Sequence, residues 1–180
     1  MSKKILRKKL LLYRKSNYKS STPKYLLLKK IINKFNYSKH KIIGAYYPIN
    51  HEIDCIKILE KLERAGFKIS LPVIKKNNEM DFFKWSFNDP AYIGKLGIPK
   101  PNQDKKVFPN ILLVPLVAFD KFKYRLGYGG GYYDRYIQKI TKIKKTLTIG
   151  LAFSFQEVNK LPTNNHDKQL DFILTESYIK

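Results

Sequence analysis

The stretch ILLVPLVAFD, Ile111 to Asp120, runs through nine apolar residues before its first charge. Nothing in it alternates with polar residues, so an element with this pattern has to be covered on both faces. Its length and branched residues suit a strand better than a helix. We read it as one strand at the centre of a parallel sheet, where helices on both sides hide a strand completely. Directly after it comes KFKYRLGYGGGYYDR. There Gly127, Gly129, Gly130 and Gly131 place four of the chain's nine glycines within five positions.

The flanking sequence supplies the remainder of such a sheet. Residues 3–16 have helical spacing, with Ile5, Leu6, Leu10 and Tyr13 on one side. A second helix is expected to start near Pro23 and to carry Leu27, Leu28, Ile31, Ile32 and Phe35. KIIGAYYP reads as a strand ended by Pro48, NHEIDCIKILEKLERAGF as a helix stopped by Gly66, and FKISLPVI as the next strand. Strand, helix, strand in that order is a crossover unit and predicts parallel pairing. MDFFKWSF is a further strand and residues 89–110 a loop. After the glycine stretch we expect a helix from Tyr132 to Lys142, then strands in TLTIGLAF and DFILTE. Residues 1–180 are therefore expected to form a single α/β domain: an open, mostly parallel sheet flanked by helices, in a Rossmann-like three-layer arrangement.

Composition narrows the function. At 43% hydrophobic and 14% aromatic residues, the chain is too apolar to remain disordered. No run approaches the about 18 apolar residues that cross a bilayer. The N-terminal MSKKILRKKLLLYRKS is split by Arg7, Lys8 and Lys9, so neither a secretory signal nor a membrane partner is expected. One cysteine, Cys55, excludes an internal disulfide and a multi-cysteine zinc site, and fits a reducing, cytoplasmic compartment. The net charge of +22 suggests nucleic acid, and 13 tyrosines are available for stacking on bases. The lysines are scattered, however, with no block of like charge and no recognisable binding module, which argues against a nucleic-acid partner. Only five of the 36 basic residues are arginines: Arg7, Arg14, Arg64, Arg125 and Arg135. In so lysine-rich a chain, arginine marks places where a planar fork is useful. Arg7, Arg125 and Arg135 stand in site-like stretches. Arg14 and Arg64 read as helix-surface residues.

The glycine stretch lies between the most buried strand and a helix, where open α/β sheets gather their ligands. Glycines let backbone N–H groups approach an anion, and the helix N-terminus adds its dipole. Arg125 and Arg135 can add charge-assisted contacts. Asp134 would repel a phosphate unless a cation such as Mg²⁺ lies between them. Taken alone, the cluster is better read as a tight turn whose Asp134 favours a helix start, and it matches neither common phosphate-loop pattern.

The wider constellation is more specific. VPLVAFDKFKYRLGYGGGYYDRYI, YYPINHEID, GLAFSFQ, LPTNNHDKQLDFILTE and the K-x-x-L-R of Lys3 to Arg7 together resemble the 5-formyltetrahydrofolate cyclo-ligase family, over nearly the whole chain and in the family's order. One departure is KFKY before Arg125, where members commonly carry a glycine. The resemblance implies an ATP- and Mg²⁺-dependent conversion of 5-formyltetrahydrofolate to 5,10-methenyltetrahydrofolate with release of ADP and phosphate. The formyl oxygen is phosphorylated, the second folate nitrogen closes the ring, and phosphate leaves.

It further implies ATP contacts at Lys3, Arg7, Arg125, Gly127, Gly129, Gly130, Gly131, Tyr132 and Tyr133, with Arg125 and Asp134 acting in catalysis. Asp134 and Asp167 match the metal positions, and Glu52 matches a folate contact. Tyr47, with Tyr46, and Trp85, the one tryptophan, are candidate pocket residues. Each also has a structural reading. Lys3 and Arg7 can be a solvated face, Asp167 a turn residue, Glu52 a charge on a helix's first turn, and Trp85 and the tyrosines core. His166 is given no catalytic role. The expected partner is 5-formyltetrahydrofolate, with or without a polyglutamate tail, acting on a monomer. A related α/β enzyme for another phosphorylated or acyl substrate is the alternative that the fold alone leaves open.

Overall fold

The computed structural model describes residues 2–36, 40–75, 79–90, 92–94, 97–165 and 167–180. Its centre is β7 (Ile111–Pro115), whose neighbours are β1 (Ile42–Gly44) and β10 (Leu147–Leu151), both parallel to it. Outward from β1 lie β2 (Lys68–Ile74), parallel, then β3 (Met80–Trp85) and β6 (Lys106–Val107), both antiparallel to their neighbours. Beyond β10 lies β12 (Phe172–Leu174), again parallel. The seven strands run in the order β12-β10-β7-β1-β2-β3-β6.

The unbroken apolar run follows from this position. Ile111 and Leu113 point into a core made with α2 (Tyr25–Lys34) and α3 (Ile56–Arg64), through Leu28, Ile31, Leu59 and Leu62. Leu112 and Val114 point to the other face, against Tyr136, Ile137 and Ile140 of α4 (Tyr132–Thr141). Successive side chains of a strand alternate in direction, so a strand between two helical layers needs apolar residues at every position. The expected three-layer architecture, open and mostly parallel, is what the chain forms.

The expected single strand Ile111–Asp120 is in fact two. β7 ends at Pro115, and β8 (Ala118–Asp120) belongs to a separate small sheet, paired antiparallel with β9 (Arg125–Leu126) and parallel with β11 (Glu157–Val158). Proline has no N–H to continue a ladder. Two buried side chains take the carbonyls freed at the break. Gln156 Nε2 donates to Leu116 O at 3.2 Å and to Val117 O at 2.8 Å, and Arg14 Nη1 donates to Leu116 O at 3.0 Å. The break carries the chain out of the main sheet and aims β9 at the glycine loop. α1 (Lys3–Asn17) covers this small sheet, with Leu6 and Leu10 packed on Ala118, Leu126 and Leu161.

Three further expectations are corrected. β1 stops at Gly44 rather than running to Pro48. The helix expected across 50–67 is regular only over Ile56–Arg64, because Asn50 and His51 have φ of 48° and 63° and form a turn instead. Residues 89–110 include, besides β6, a short antiparallel pair, β4 (Tyr92–Ile93) with β5 (Pro99–Lys100). Among the described residues no helix is long and apolar enough to cross a membrane.

Candidate active site

The strand order reverses between β1 and β7. From β1 the chain crosses through α3 to β2, and from β7 through α4 to β10, on opposite faces of the sheet. Such a switch point leaves a crevice beyond the carboxyl ends of the strands. A cavity of about 1220 Å³ opens there, lined by Tyr46 and Tyr47 after β1, Ile74 and Lys75 at the end of β2, Pro115 at the end of β7 and the glycine loop. This exceeds the roughly 300–1,000 Å³ of a site for one small ligand. Six basic and four acidic side chains reach it.

The glycine loop forms one wall. Gly131 caps α4 in the left-handed region, with φ 65°, and Gly129 has φ 107°, so both positions need glycine for conformation. Gly127 differs: a Cβ there would meet no atom within 4 Å. Neither its own backbone nor its packing calls for glycine, so the missing side chain leaves space on the cavity wall. Among the described residues no side chain at the N-cap bonds to α4, whose start places the positive end of the helix dipole at the cavity wall. Arg7 Nε donates to Gly127 O at 2.6 Å, and Arg135 Nη2 to Gly130 O at 2.7 Å while its guanidinium lies 5.3 Å from the Tyr132 ring centre. Tyr133 lines the cavity, and its buried hydroxyl makes no hydrogen bond among the described residues. Burial, with Glu52 and Cys55 nearby, holds its pKa well above the ordinary tyrosine value.

Both candidate metal carboxylates line the cavity and are tied to one strip of backbone. Asp134 Oδ1 accepts from Arg125 Nη2 at 2.7 Å and from the Lys168 backbone N–H at 3.2 Å, and Arg125 Nη1 donates to Lys168 O at 2.9 Å. Asp167, the residue before Lys168, pairs with Lys3 from the start of α1 and also accepts from the Asn164 N–H at 2.6 Å. Its turn reading and its place on the cavity wall hold together. Burial pulls the Arg125 guanidinium below its usual pKa, opposed by the Asp134 carboxylate. Lys123, inside the KFKY departure, adopts φ 64°, the conformation a glycine accepts without strain.

Glu52 stands on another part of the wall and is only 5% exposed. It lies in the turn before α3, four residues ahead of the helix, which corrects its reading as a first-turn charge. Its Oε2 accepts from the Ile49 N–H at 2.9 Å, and the Tyr128 hydroxyl hydrogen-bonds to its carboxylate. Burial pushes its pKa up to about 7, against the lowering pull of those two bonds and of Arg14. Tyr46 is buried, its hydroxyl donating to Ile53 O at 3.1 Å, and Tyr47 is half exposed on the rim. Trp85 is not brought to the cavity: it is 7% exposed in the core beneath α2 and α3, tilted against Phe87. His166 lies outside the described residues.

The reading of Arg14 as a surface residue is corrected most strongly. It is 1% exposed and bonded to three segments around the cavity. The available signal was its spacing. Arg14 follows Arg7 by seven residues, two helical turns, on the face that also holds Leu6 and Leu10. Arg64, by contrast, is exposed and pairs with Glu60 along α3.

The donor set fits a hard cation held partly by its ligand. Among the described residues no group of three or more His, Cys, Asp or Glu could hold a metal unaided. Asp134 and Asp167 supply carboxylate oxygens only, and Mg²⁺ is commonly bound by one or two carboxylates together with phosphate oxygens and water. The open space at Gly127 and the uncapped α4 leave room for those phosphates beside them.

Fold and cavity together define an α/β protein with a glycine-rich loop on the wall of a large cavity at the switch point of its sheet. The chain belongs to the 5-formyltetrahydrofolate cyclo-ligase family, a family of enzymes, whose model matches residues 1–176. The 5-formyltetrahydrofolate cyclo-ligase of Escherichia coli K12 is 33% identical over 144 residues, covering 76% of this chain and 79% of that protein. The solved 5,10-methenyltetrahydrofolate synthetase of Aquifex aeolicus superposes with a TM-score of 0.74 at 30% identity, over 100% of this chain and 92% of that one. That of Mycoplasma pneumoniae gives 0.72 at 28% identity, over 98% and 100%.

Proposed function

We propose that the chain converts 5-formyltetrahydrofolate to 5,10-methenyltetrahydrofolate with consumption of ATP in the presence of Mg²⁺, releasing ADP and phosphate. The observation that carries this is the joint arrangement of the open glycine loop and two carboxylates anchored on one backbone strip, inside a cavity large enough for two ligands. Bound Mg-ATP would supply the phosphoryl group that turns the formyl oxygen into a leaving group, so that the second folate nitrogen closes the ring. Asp134 and Asp167 would hold the metal. The loop N–H groups with Lys3, Arg7, Arg125 and Arg135 would hold the phosphates and neutralise charge as it moves. Glu52, when ionised, offers two acceptor oxygens to the amino and ring N–H groups of a pterin. Tyr46 and Tyr47 add apolar wall beside it and exclude water. No side chain needs to act as nucleophile, so the protein's contribution is alignment and electrostatics. Lys75 and Lys100 also line the cavity and suit the carboxylates of a glutamate tail.

Thermal shift of the full chain tests the two-ligand reading. Mg-ATP and 5-formyltetrahydrofolate should each raise the melting temperature. Asp134→Asn, which keeps an acceptor for Arg125 and Lys168, should lose most of the nucleotide shift and keep the folate shift. A nucleotide shift without any folate shift would favour a different acyl or phosphorylated substrate.

A further inference from the structure

Arg14 bonds through both terminal nitrogens to segments around the cavity, although it does not line it and its Nε has no partner among the described residues. Nη1 donates to Leu116 O, at the break after β7. Nη2 donates to Asn50 O at 2.8 Å, in the turn after β1, and to the Tyr128 hydroxyl in the glycine loop, and the guanidinium lies 5.5 Å from the Tyr128 ring centre. One planar fork thus joins the three segments that meet at the switch point. An ammonium of similar reach carries its three donors on one atom and cannot span acceptors arranged around two separate nitrogens.

The turn it grips is strained. Asn50 and His51 are consecutive non-glycine residues with positive φ, a conformation that costs about 1 kcal/mol or more per residue. Three bonds hold it: Arg14 to Asn50 O, the Glu52 N–H to Ile49 O at 2.9 Å, and the Ile49 N–H to the Glu52 carboxylate. Two of the three involve Glu52, and the third is Arg14. The groups facing Glu52 are Arg14 from α1, Tyr128 from the glycine loop, Tyr133 from α4, and Tyr46 and Cys55 from its own segment, with Asp54 beside Cys55. Arg14 is the cation in this set, and Tyr128 connects it to the carboxylate.

We propose that Arg14 is a positioning residue for folate recognition: by clamping the Asn50–His51 turn and orienting the Tyr128 hydroxyl, it presents the Glu52 carboxylate to the cavity, ionised. This rests on the reading of Glu52 as the pterin contact. Without Arg14 the turn relaxes and the carboxylate loses its one cationic neighbour in that set. Folate affinity should then fall and require higher pH, while the phosphate side, built by Lys3, Arg7 and Arg125, is left in place.

Direct titration of the full chain with 5-formyltetrahydrofolate, without nucleotide, between about pH 6 and pH 9 tests this. The wild type should bind more tightly as pH rises, with the limb centred near 7, where Glu52 is half ionised, and a plateau about one unit higher. Arg14→Met should bind about tenfold more weakly near pH 7.5, with its acid limb moved up by about one pH unit. Arg14→Lys should fall between the two, and Mg-ATP affinity, with Lys3, Arg7 and Arg125 left in place, should fall less than folate affinity in both variants. Because Arg14 is buried and its removal can impair folding, Tyr128→Phe is the second variant. It keeps the ring, breaks the link, and should move the limb in the same direction. Wild-type binding with an unchanged affinity and limb in a folded Arg14→Met, or an unchanged limb in Tyr128→Phe, overturns the inference alone. Wild-type binding that is absent, or insensitive to both pH and Glu52→Gln, removes the Glu52 reading and the inference with it.

Discussion

Glu52 shows how a single buried carboxyl can cost a folded protein stability. Its carboxyl keeps its proton in the folded protein up to about pH 7, because burial outweighs the bonds from Ile49 and Tyr128 and the field of Arg14. In the unfolded chain it ionises near the ordinary value of about 4.3. Between these pH values the folded state holds a proton that the unfolded state has released, so stability falls as pH rises, and the penalty is complete above about 7. Glu52→Gln removes the charge and keeps an acceptor for the Ile49 N–H. It should stabilise the protein by about 2 kcal/mol near pH 8 and change little near pH 4, as read from denaturant midpoints at the two pH values. Loss of folate binding should accompany the gain, as is common where a site is built from strained or desolvated groups. A variant destabilised at pH 8 would show that Glu52 is held for packing instead.

At the scale of elements, the glycine loop separates conformational need from functional space. Gly129 and Gly131 occupy positive φ, whereas Gly127 faces open cavity. Gly127→Ala should therefore leave stability within about 0.5 kcal/mol and weaken Mg-ATP binding by tenfold or more. Gly131→Ala should cost about 1 kcal/mol of stability in its own right. Thermal melts and nucleotide titrations of the two variants check this, and equal losses of stability would refute it. The same loop indicates how much could be read in advance. Local periodicity located the strands in FKISLPVI and TLTIGLAF and the start of the helix at Tyr132, because each carries its pattern within its own residues. The break at Pro115 was only partly legible: the proline is a local stop signal, but Leu116 and Val117 are as apolar as their neighbours, and the groups that take the freed carbonyls, Gln156 and Arg14, are distant in sequence. The helix start at Ile56 was hidden for a similar reason, since the Asn50–His51 turn is held by Arg14 and by Glu52 itself. Trp85 carried an aromatic signal that serves the core and a pocket equally, and only the sheet's register decides between them.

Across the whole molecule, a net charge of +22 leaves most of the cavity's cations already engaged. Of the six that line it, Lys75 pairs with Asp81 at 2.8 Å, and Lys100 has no ion pair among the described residues. Lys3 is paired with Asp167, Arg125 with Asp134, Arg7 with Gly127 O and Arg135 with Gly130 O. Binding of a metal-bound polyphosphate would exchange these internal partners: the carboxylates turn to the metal and the basic groups to phosphate, so both halves of each pair are used. The sheet's switch point brings this charged wall and the Glu52 wall into one cavity, although Arg125 and Asp134 stand more than seventy positions from Glu52 in the chain. The central claim is that one cavity holds nucleotide and formylated folate together, with the metal between carboxylates and phosphates. The most direct test is the near-ultraviolet absorbance of the methenyl product, followed in mixtures of the protein with 5-formyltetrahydrofolate and ATP, with and without Mg²⁺. The account predicts that absorbance grows when all three are present and stays flat when magnesium is withheld. No product at protein concentrations near that of the substrate, or equal product without a divalent cation, would contradict it.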